Sequence, residues 1–257
     1  MADLQLIIEA IQGAETAEKA FQEFCKGSRA YGYDKAVFSL MTDHNSIGIK
    51  AMHGHSTNYP DDWMSHYHQN GLHTLDPVFQ RILLKPGVFD WSDAIPELDR
   101  SNRFGKRILT SSQALMKDAS DAGLSSGVAV SIVNEWGEIA GIGISRSHVG
   151  EEKNTRVLAE IQLMAAVLHE KYVGSFKSWR PERLTPREKE VLSWSAEGKS
   201  DWETAQIIGV SRTTIRFHWN NIFRKLGVNN KVTATVFAIR RRIIFPDTVA
   251  PGELRHT

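Results

Sequence analysis

Cysteine is nearly absent. Cys25 is the single one in 257 residues, so no disulfide can close within the chain, and a reducing compartment is predicted. Long apolar runs are absent as well. No stretch approaches the roughly 18 to 20 apolar residues that a membrane-crossing helix needs, so no membrane partner is expected. The opening MADLQLIIEA has neither the basic leader nor the small-residue cleavage site of a secretion signal, and a cytoplasmic protein is predicted. Also missing are a phosphate-cradling glycine loop, a glycine-flanked serine elbow and an acidic cluster after a first strand. These gaps speak against a nucleotide-binding fold, a serine hydrolase and a phosphorylation receiver; no enzyme activity and no cofactor are expected.

Acidic residues are missing from one region in particular: there is none between Thr204 and Phe245. Residues 184–245 carry eleven Lys or Arg against five Asp or Glu, a net of +6, although the whole chain is only +1. A mildly acidic body with a basic C-terminal module points to a polyanion partner for the module alone, although basic residues also coat solvated faces. With 41% hydrophobic and 24% charged residues, the composition is that of a globular protein, long enough for two domains with a core each.

The N-terminal part alternates helix and strand patterns. Leu4, Ile7, Ile8 and Ile11 fall at helical spacing, and Ala17, Phe21, Phe24 and Cys25 continue it. KAVFSLM and IGIKAMH read as strands joined by the turn-rich TDHNS, and helical patterns follow over 60–70, 77–84 and 102–121. GVAVSIVN and EIAGIGISR flank EWG as a hairpin, with Val128, Val130 and Ile132 alternating, and a long amphipathic helix, NTRVLAEIQLMAAVLHEKYV, comes next. Antiparallel strands with helices before and after them predict an α+β sandwich over residues 1–173. GSFKSWRPER breaks the periodicity and predicts a linker at 174–183; residues 246–257 read as a loose tail. Between them, four helical patterns over 185–197, 201–209, 211–226 and 230–243 predict an all-α module at 184–245. Thr185, Pro186 and Glu188 make a capping box at its start.

Within this module a short helix ends at Gly209, and Ser211 caps the next, which is the pattern of a helix-turn-helix. Ile215, Ile222 and Leu226, with Trp219 or Phe223, can face inward; Arg212, Thr213, Arg216 and Asn220 then face outward. Arg suits guanine edges, Asn suits adenine, and hydroxyls and Lys suit phosphates. The run from Leu184 to about Ala238 closely resembles the DNA-binding domain of LuxR-type transcription regulators, with Thr185, Glu188, Lys199, Ser211, Thr214, His218 and Lys225 among the matching positions. Thr204 stands where a branched apolar residue is common, and Arg216 where Lys is frequent. The resemblance implies a four-helix unit whose third helix reads double-stranded promoter DNA and whose fourth contributes to a homodimer. Thr185, Lys199, Ser211, Arg212, Thr213, Thr214, Arg216, His218 and Asn220 are the candidate DNA-binding residues.

In the N-terminal part, NYPDDWMSHYHQNGLHTLDPV, FDWSD and DAGLSSGVAV resemble the autoinducer-binding domain of acyl-homoserine-lactone quorum-sensing receptors, at Tyr59, Trp63, Tyr67, Asp76, Pro77, Trp91 and Gly127. The resemblance implies an α-β-α sandwich with a ligand buried between the sheet and one helix layer. The chemistry is suitable: Trp63 can donate to a lactone carbonyl, Asp76 can accept an amide N–H, and Tyr67, one turn from Trp63, can donate to the amide carbonyl. Trp91 offers a flat wall for the ring, and Tyr59 can close the tail side. Each has a plainer reading. Asp76-Pro77 is also an ordinary helix start, Trp63 and Tyr67 are also ordinary core aromatics, and Gly127 can simply permit close packing.

Relatives in this family often carry a hydroxyl residue near the position of Gly143, with Ser145 two residues on here. Gly141 and Gly143, with Ala129 across the hairpin, predict room at the base of the acyl chain. Ala129, Gly143 and Ser145 complete the candidate ligand set. The histidines of HGH (His53, His55) and HYH (His66, His68) lack a completing Cys or carboxylate, and no metal site is expected. The reading is a homodimeric, lactone-responsive regulator that binds palindromic DNA and contacts RNA polymerase. The alternatives are a LuxR-type regulator of another small amphiphile, and a lactone-binding or lactone-hydrolysing protein without DNA binding.

Overall fold

The computed structural model describes residues 3–44, 47–101, 106–134, 136–148, 154–175 and 183–245. The chain divides into two compact units, a larger one of residues 1–134 and 138–178 and a smaller one of 135–137 and 179–257. The division falls inside the expected linker, most of which, like the expected tail, lies outside the described residues.

The larger unit opens with α1 (Leu4–Gly13) and α2 (Ala17–Arg29), each started by a side chain that accepts from the first free backbone N–H groups, Asp3 and Thr16. Five strands follow: β1 (Lys35–Leu40), β2 (Met52–Thr57), β3 (Gly87–Asp90), β4 (Ser126–Val133) and β5 (Ile139–Arg146). They form one antiparallel sheet in the order β2-β1-β5-β4-β3. Between strands run α3 (Asp61–Gln69), a 3₁₀ turn (Leu72–Thr74), α4 (Pro77–Leu84), α5 (Trp91–Arg100) and α6 (Lys106–Asp121); α7 (Thr155–Gly174) closes the unit. The second strand is not where apolar alternation put it. Ile47 and Ile49 sit in a turn, tied by a bridge between His44 and Ile49, and the strand begins only at Met52.

Strand alternation sorts side chains to two faces. Ala36, Phe38, Leu40, Val128, Val130, Ile142 and Ile144 pack with Phe24, Ile161, Met164 and Leu168 of α2 and α7. The opposite face, with Val37, Met41 and Ala129, packs against α3 to α6. Helices on both faces make the expected α-β-α sandwich. On the second side Arg81 is 3% exposed, pairs with Glu97, donates to the Lys85 carbonyl at 2.6 Å and stacks over Phe89, which ties α4 to α5.

The smaller unit holds α8 (Pro186–Ala196), α9 (Asp201–Ile208), α10 (Arg212–Leu226) and α11 (Lys231–Arg240) around Val191, Leu192, Ala205, Ile215, Trp219, Ile222 and Ala234. Each helix start has its own cap. Thr185 with Glu188 and Ser200 with Glu203 form capping boxes, and Ser211 and Asn230 cap α10 and α11. The turn between α9 and α10 passes through Gly209 at φ 69°, a left-handed conformation that glycine adopts without penalty.

Candidate functional site

A cavity lies between the sheet and the second helix layer, with about 590 Å³ unfilled by protein atoms, mouth included. The space inside it free to a water-sized molecule is about 50 Å³, so the side chains stand close together across a narrow cleft. Its floor is the sheet face of Val37, Ser39, Met41, Gly141 and Gly143; its walls come from α3, α4, Trp91 and α6. The floor is built from small residues. Gly143 pairs with Val37 on one side and Ala129 on the other, and Gly141 pairs with Ser39.

The polar groups converge on one end. Asp76 caps α4: its Oδ1 accepts from Val78 N at 2.8 Å and Phe79 N at 3.2 Å, and its Oδ2 accepts from the Tyr67 hydroxyl at 2.8 Å. Burial pushes the carboxyl above its usual range, against the pull of the Tyr67 hydroxyl and the two backbone donors. Burial, followed by the adjacent Asp76, holds the Tyr67 phenol well above its usual value. Tyr59 Oη and Trp91 Nε1 are buried with no hydrogen-bond partner among the described residues, although each needs one in a closed site. The expected ligand residues Tyr59, Trp63, Tyr67, Asp76, Trp91 and Gly143 all line the cavity.

Three expectations change in detail. Ala129, fully buried, and Ser145, 0% exposed, lie outside the cavity lining. Tyr67 has one hydroxyl proton, and it is already on Asp76, so the phenol with a proton to offer is Tyr59. The glycines do not leave a void either. A Cβ on Gly141 would meet Ile82 and Met41 at 3.0 Å, and one on Gly143 would meet Val37 at 3.1 Å and Tyr59 Oη at 3.3 Å. Glycine here lets those side chains come down onto the sheet. Gly127 serves Trp91 the same way, since a Cβ would stand 2.6 Å from the indole.

Lining residues that sequence reasoning passed over are Ser39 and His53 on the strands and Leu115 and Ala119 on α6. The period-two placement of Val37, Ser39 and Met41, out of phase with Phe38 and Leu40, was the available signal for the floor. No comparable signal marks His53. Burial, with His68 and His73 nearby, lowers its imidazole to about 4. Among the described residues no group of three or more metal-ligating side chains is placed to hold an ion.

In the smaller unit, Arg212, Thr213, Arg216, Phe217 and Asn220 stand exposed on α10, whereas Ile215, Trp219 and Ile222 are buried. Phe223, offered as an alternative to Trp219, is only partly buried. Thr185, Lys199 and Ser211 are exposed, and Thr214 and His218 half-buried. Ser211 and Thr214 hydroxyls lie 2.9 Å apart at the helix start. The start and the exposed face of α10 thus present hydroxyls, guanidiniums and an amide, groups able to bond phosphates and base edges. Glu188 is 3% exposed and pairs with Lys225 at 2.9 Å, bracing α8 against α10.

The chain matches the family "Autoinducer binding domain" over residues 16–172 and "Bacterial regulatory proteins, luxR family" over residues 182–238. It is 29% identical over 256 residues to the transcriptional activator protein SolR of Ralstonia solanacearum, covering 94% of this chain and 99% of that protein. The regulatory protein SdiA of Escherichia coli is 27% identical over 243 residues, covering 91% and 93%. A crystal structure of Escherichia coli SdiA shares the fold, with a TM-score of 0.67 at 22% identity over 94% of this chain and 98% of that one.

Proposed function

This chain belongs to the luxR family of bacterial regulators that carry an autoinducer-binding domain, and from that premise we propose that its signal is an N-acyl-homoserine lactone. It is a DNA-binding transcription regulator of the quorum-sensing kind and not an enzyme. The observation that carries the ligand class is the set of polar groups gathered at one end of a mostly apolar cavity. Trp63 donates to the ring carbonyl, Asp76 Oδ2 accepts the amide N–H, Tyr59 donates to the amide carbonyl, and Trp91 walls the ring. The ring carbonyl, the amide N–H and the amide carbonyl of the headgroup then each have a partner, as strong polar groups in a closed site require. The acyl chain lies on the apolar wall, at about 0.8 kcal/mol per buried methylene.

On the DNA side, the protein works in the cytoplasm as a homodimer on a palindrome, with two copies of α10 in successive major grooves and RNA polymerase as the next partner. Mass spectrometry of ligand copurified from cells fed different lactones tests the signal, and a gel shift with genomic fragments tests the DNA function. Recovery of no lactone from any culture counts against the ligand class. A second reading keeps the DNA function and exchanges the lactone for another small amphiphile. SdiA has been solved in complex with octanoyl-rac-glycerol, and the hydroxyls of such a molecule would suit the same Asp76 and Tyr59. The same mass spectra separate the two.

A further inference from the structure

Ser39 and His53 form a polar pair inside the cavity, apart from the groups assigned to the headgroup. Ser39 lies on β1, opposite Gly141 of β5, and is 2% exposed. Its Oγ accepts from Gly54 N at 3.0 Å and lies 3.0 Å from His53 Nδ1. A buried hydroxyl needs an acceptor for its own proton. The imidazole is the acceptor within reach, so Ser39 donates to Nδ1 and the ring proton sits on Nε2. The ring is held in place as well: it stacks on Tyr67, with centroids 4.6 Å apart and planes 29° apart, and meets the edge of Phe79 at 5.6 Å. Burial keeps the imidazole neutral near neutral pH, lowering it to about 4, so it offers one N–H and no charge.

We propose that the Ser39–His53 pair is a selectivity contact, presenting Nε2–H to an acyl chain that carries an oxygen close to its amide end, as an oxo or hydroxyl group. The position follows from the neighbours. Tyr67 reaches Asp76 with its hydroxyl and His53 with its ring face, so His53 stands one ring beyond the group assigned to the amide. An unsubstituted chain laid across Tyr67 would cover the Nε2–H without offering it an acceptor, and a covered, unpaired donor is costly. A chain oxygen pairs with it instead.

This inference rests on the lactone reading of the same cavity, and the test separates the two. Full-length protein is titrated with octanoyl-homoserine lactone and with its β-oxo and β-hydroxy derivatives. The wild type is expected to bind an oxygenated ligand about three- to tenfold more tightly, the range of one neutral hydrogen bond. His53→Phe keeps an aromatic ring against Tyr67 but removes the N–H, and is expected to lose the preference. Ser39→Ala frees the tautomer and is expected to reduce the preference. Equal affinities in the wild type, or a preference that survives in His53→Phe, overturn the inference and leave the lactone reading standing. Failure of all three lactones to bind overturns both.

Discussion

At the scale of single residues the cavity turns on how few protons its side chains have to give. Asp76 has acceptor positions left after its cap and Tyr67, whereas Tyr67 has no proton left after Asp76. Asp76→Asn should keep α4 capped, since Asn is a good cap, yet turn an amide N–H toward the ligand's own. Losing a hydrogen bond to a charged acceptor predicts a drop in lactone affinity of about 1.5–3 kcal/mol, measured by calorimetric titration. A loss under twofold would remove Asp76 from the contact. Acid should weaken the larger unit as well. His53 and His169 are both lowered to about 4 by burial, so their neutral forms favour the fold, fully so above the ordinary 6.5. That stability is lost as pH falls from 6.5 through 4, on the order of 3 kcal/mol per group. The Asp76 carboxyl, raised by burial, runs the other way and favours the fold more as pH falls. The informative quantity is therefore the difference in urea-unfolding free energy between wild type and His53→Phe. It should shrink across that window and stay flat above it.

At the scale of elements, a buried ion pair ties the recognition helix α10 to α8. The side chains of Lys225 and Glu188 are 10% and 4% exposed. Burial pushes the Glu188 carboxyl up, and the Lys225 ammonium with the Thr185 N–H overrides that, leaving it below its usual range. Lys225→Ala should cost the smaller unit about 3–5 kcal/mol in urea unfolding, because it strands a buried carboxylate. Replacing both partners with Gln and Met should cost far less, and equal costs would mean that the pair is effectively solvated.

The elements that could be read from the sequence are those with local chemistry at their ends. Pro77 after Asp76 set α4 at 77–84, and Thr185 with Glu188 set the start of α8. Elements whose reasons are non-local were not legible. The edge strand Met52–Thr57 reads MHGHST, with no apolar alternation, because only one neighbour pairs with it. Apolar Ile47, which suggested a strand, is buried in the preceding turn instead. Strand Gly87–Asp90 is four residues long and leads straight into Trp91, whose helix carries Pro96, so neither had room to show a period. The site followed the same rule. Aromatics on one helix face were visible in the chain, but the Asp76–Tyr67 bond and the Ser39–His53 pair depend on how separate elements meet.

For the whole molecule, charge and cavity sit in different units, and the two inputs should therefore be separable in one experiment. The acid-free stretch from Thr204 to Phe245 lies wholly in the smaller unit, and the cavity lining lies wholly in the larger. Operator affinity should fall steeply with salt, with a log–log slope near −0.9 for each phosphate neutralised, and Arg216→Ala should reduce affinity without moving the melting of either unit. Ligand acts elsewhere. Binding only to the folded larger unit adds RT ln(1 + [L]/Kd), about 2.7 kcal/mol at a hundredfold excess over Kd. For a unit of this size that corresponds to a rise in melting temperature of about 5–10 °C. Scanning calorimetry of the full chain should show that rise in the transition of the larger unit, little changed between low and high salt because the cavity is mostly apolar. DNA should shift the other transition, and that shift should vanish at high salt. If lactone moved both transitions equally in the absence of DNA, the units would unfold as one, and the separation of signal reading from DNA reading would fail at the level of stability.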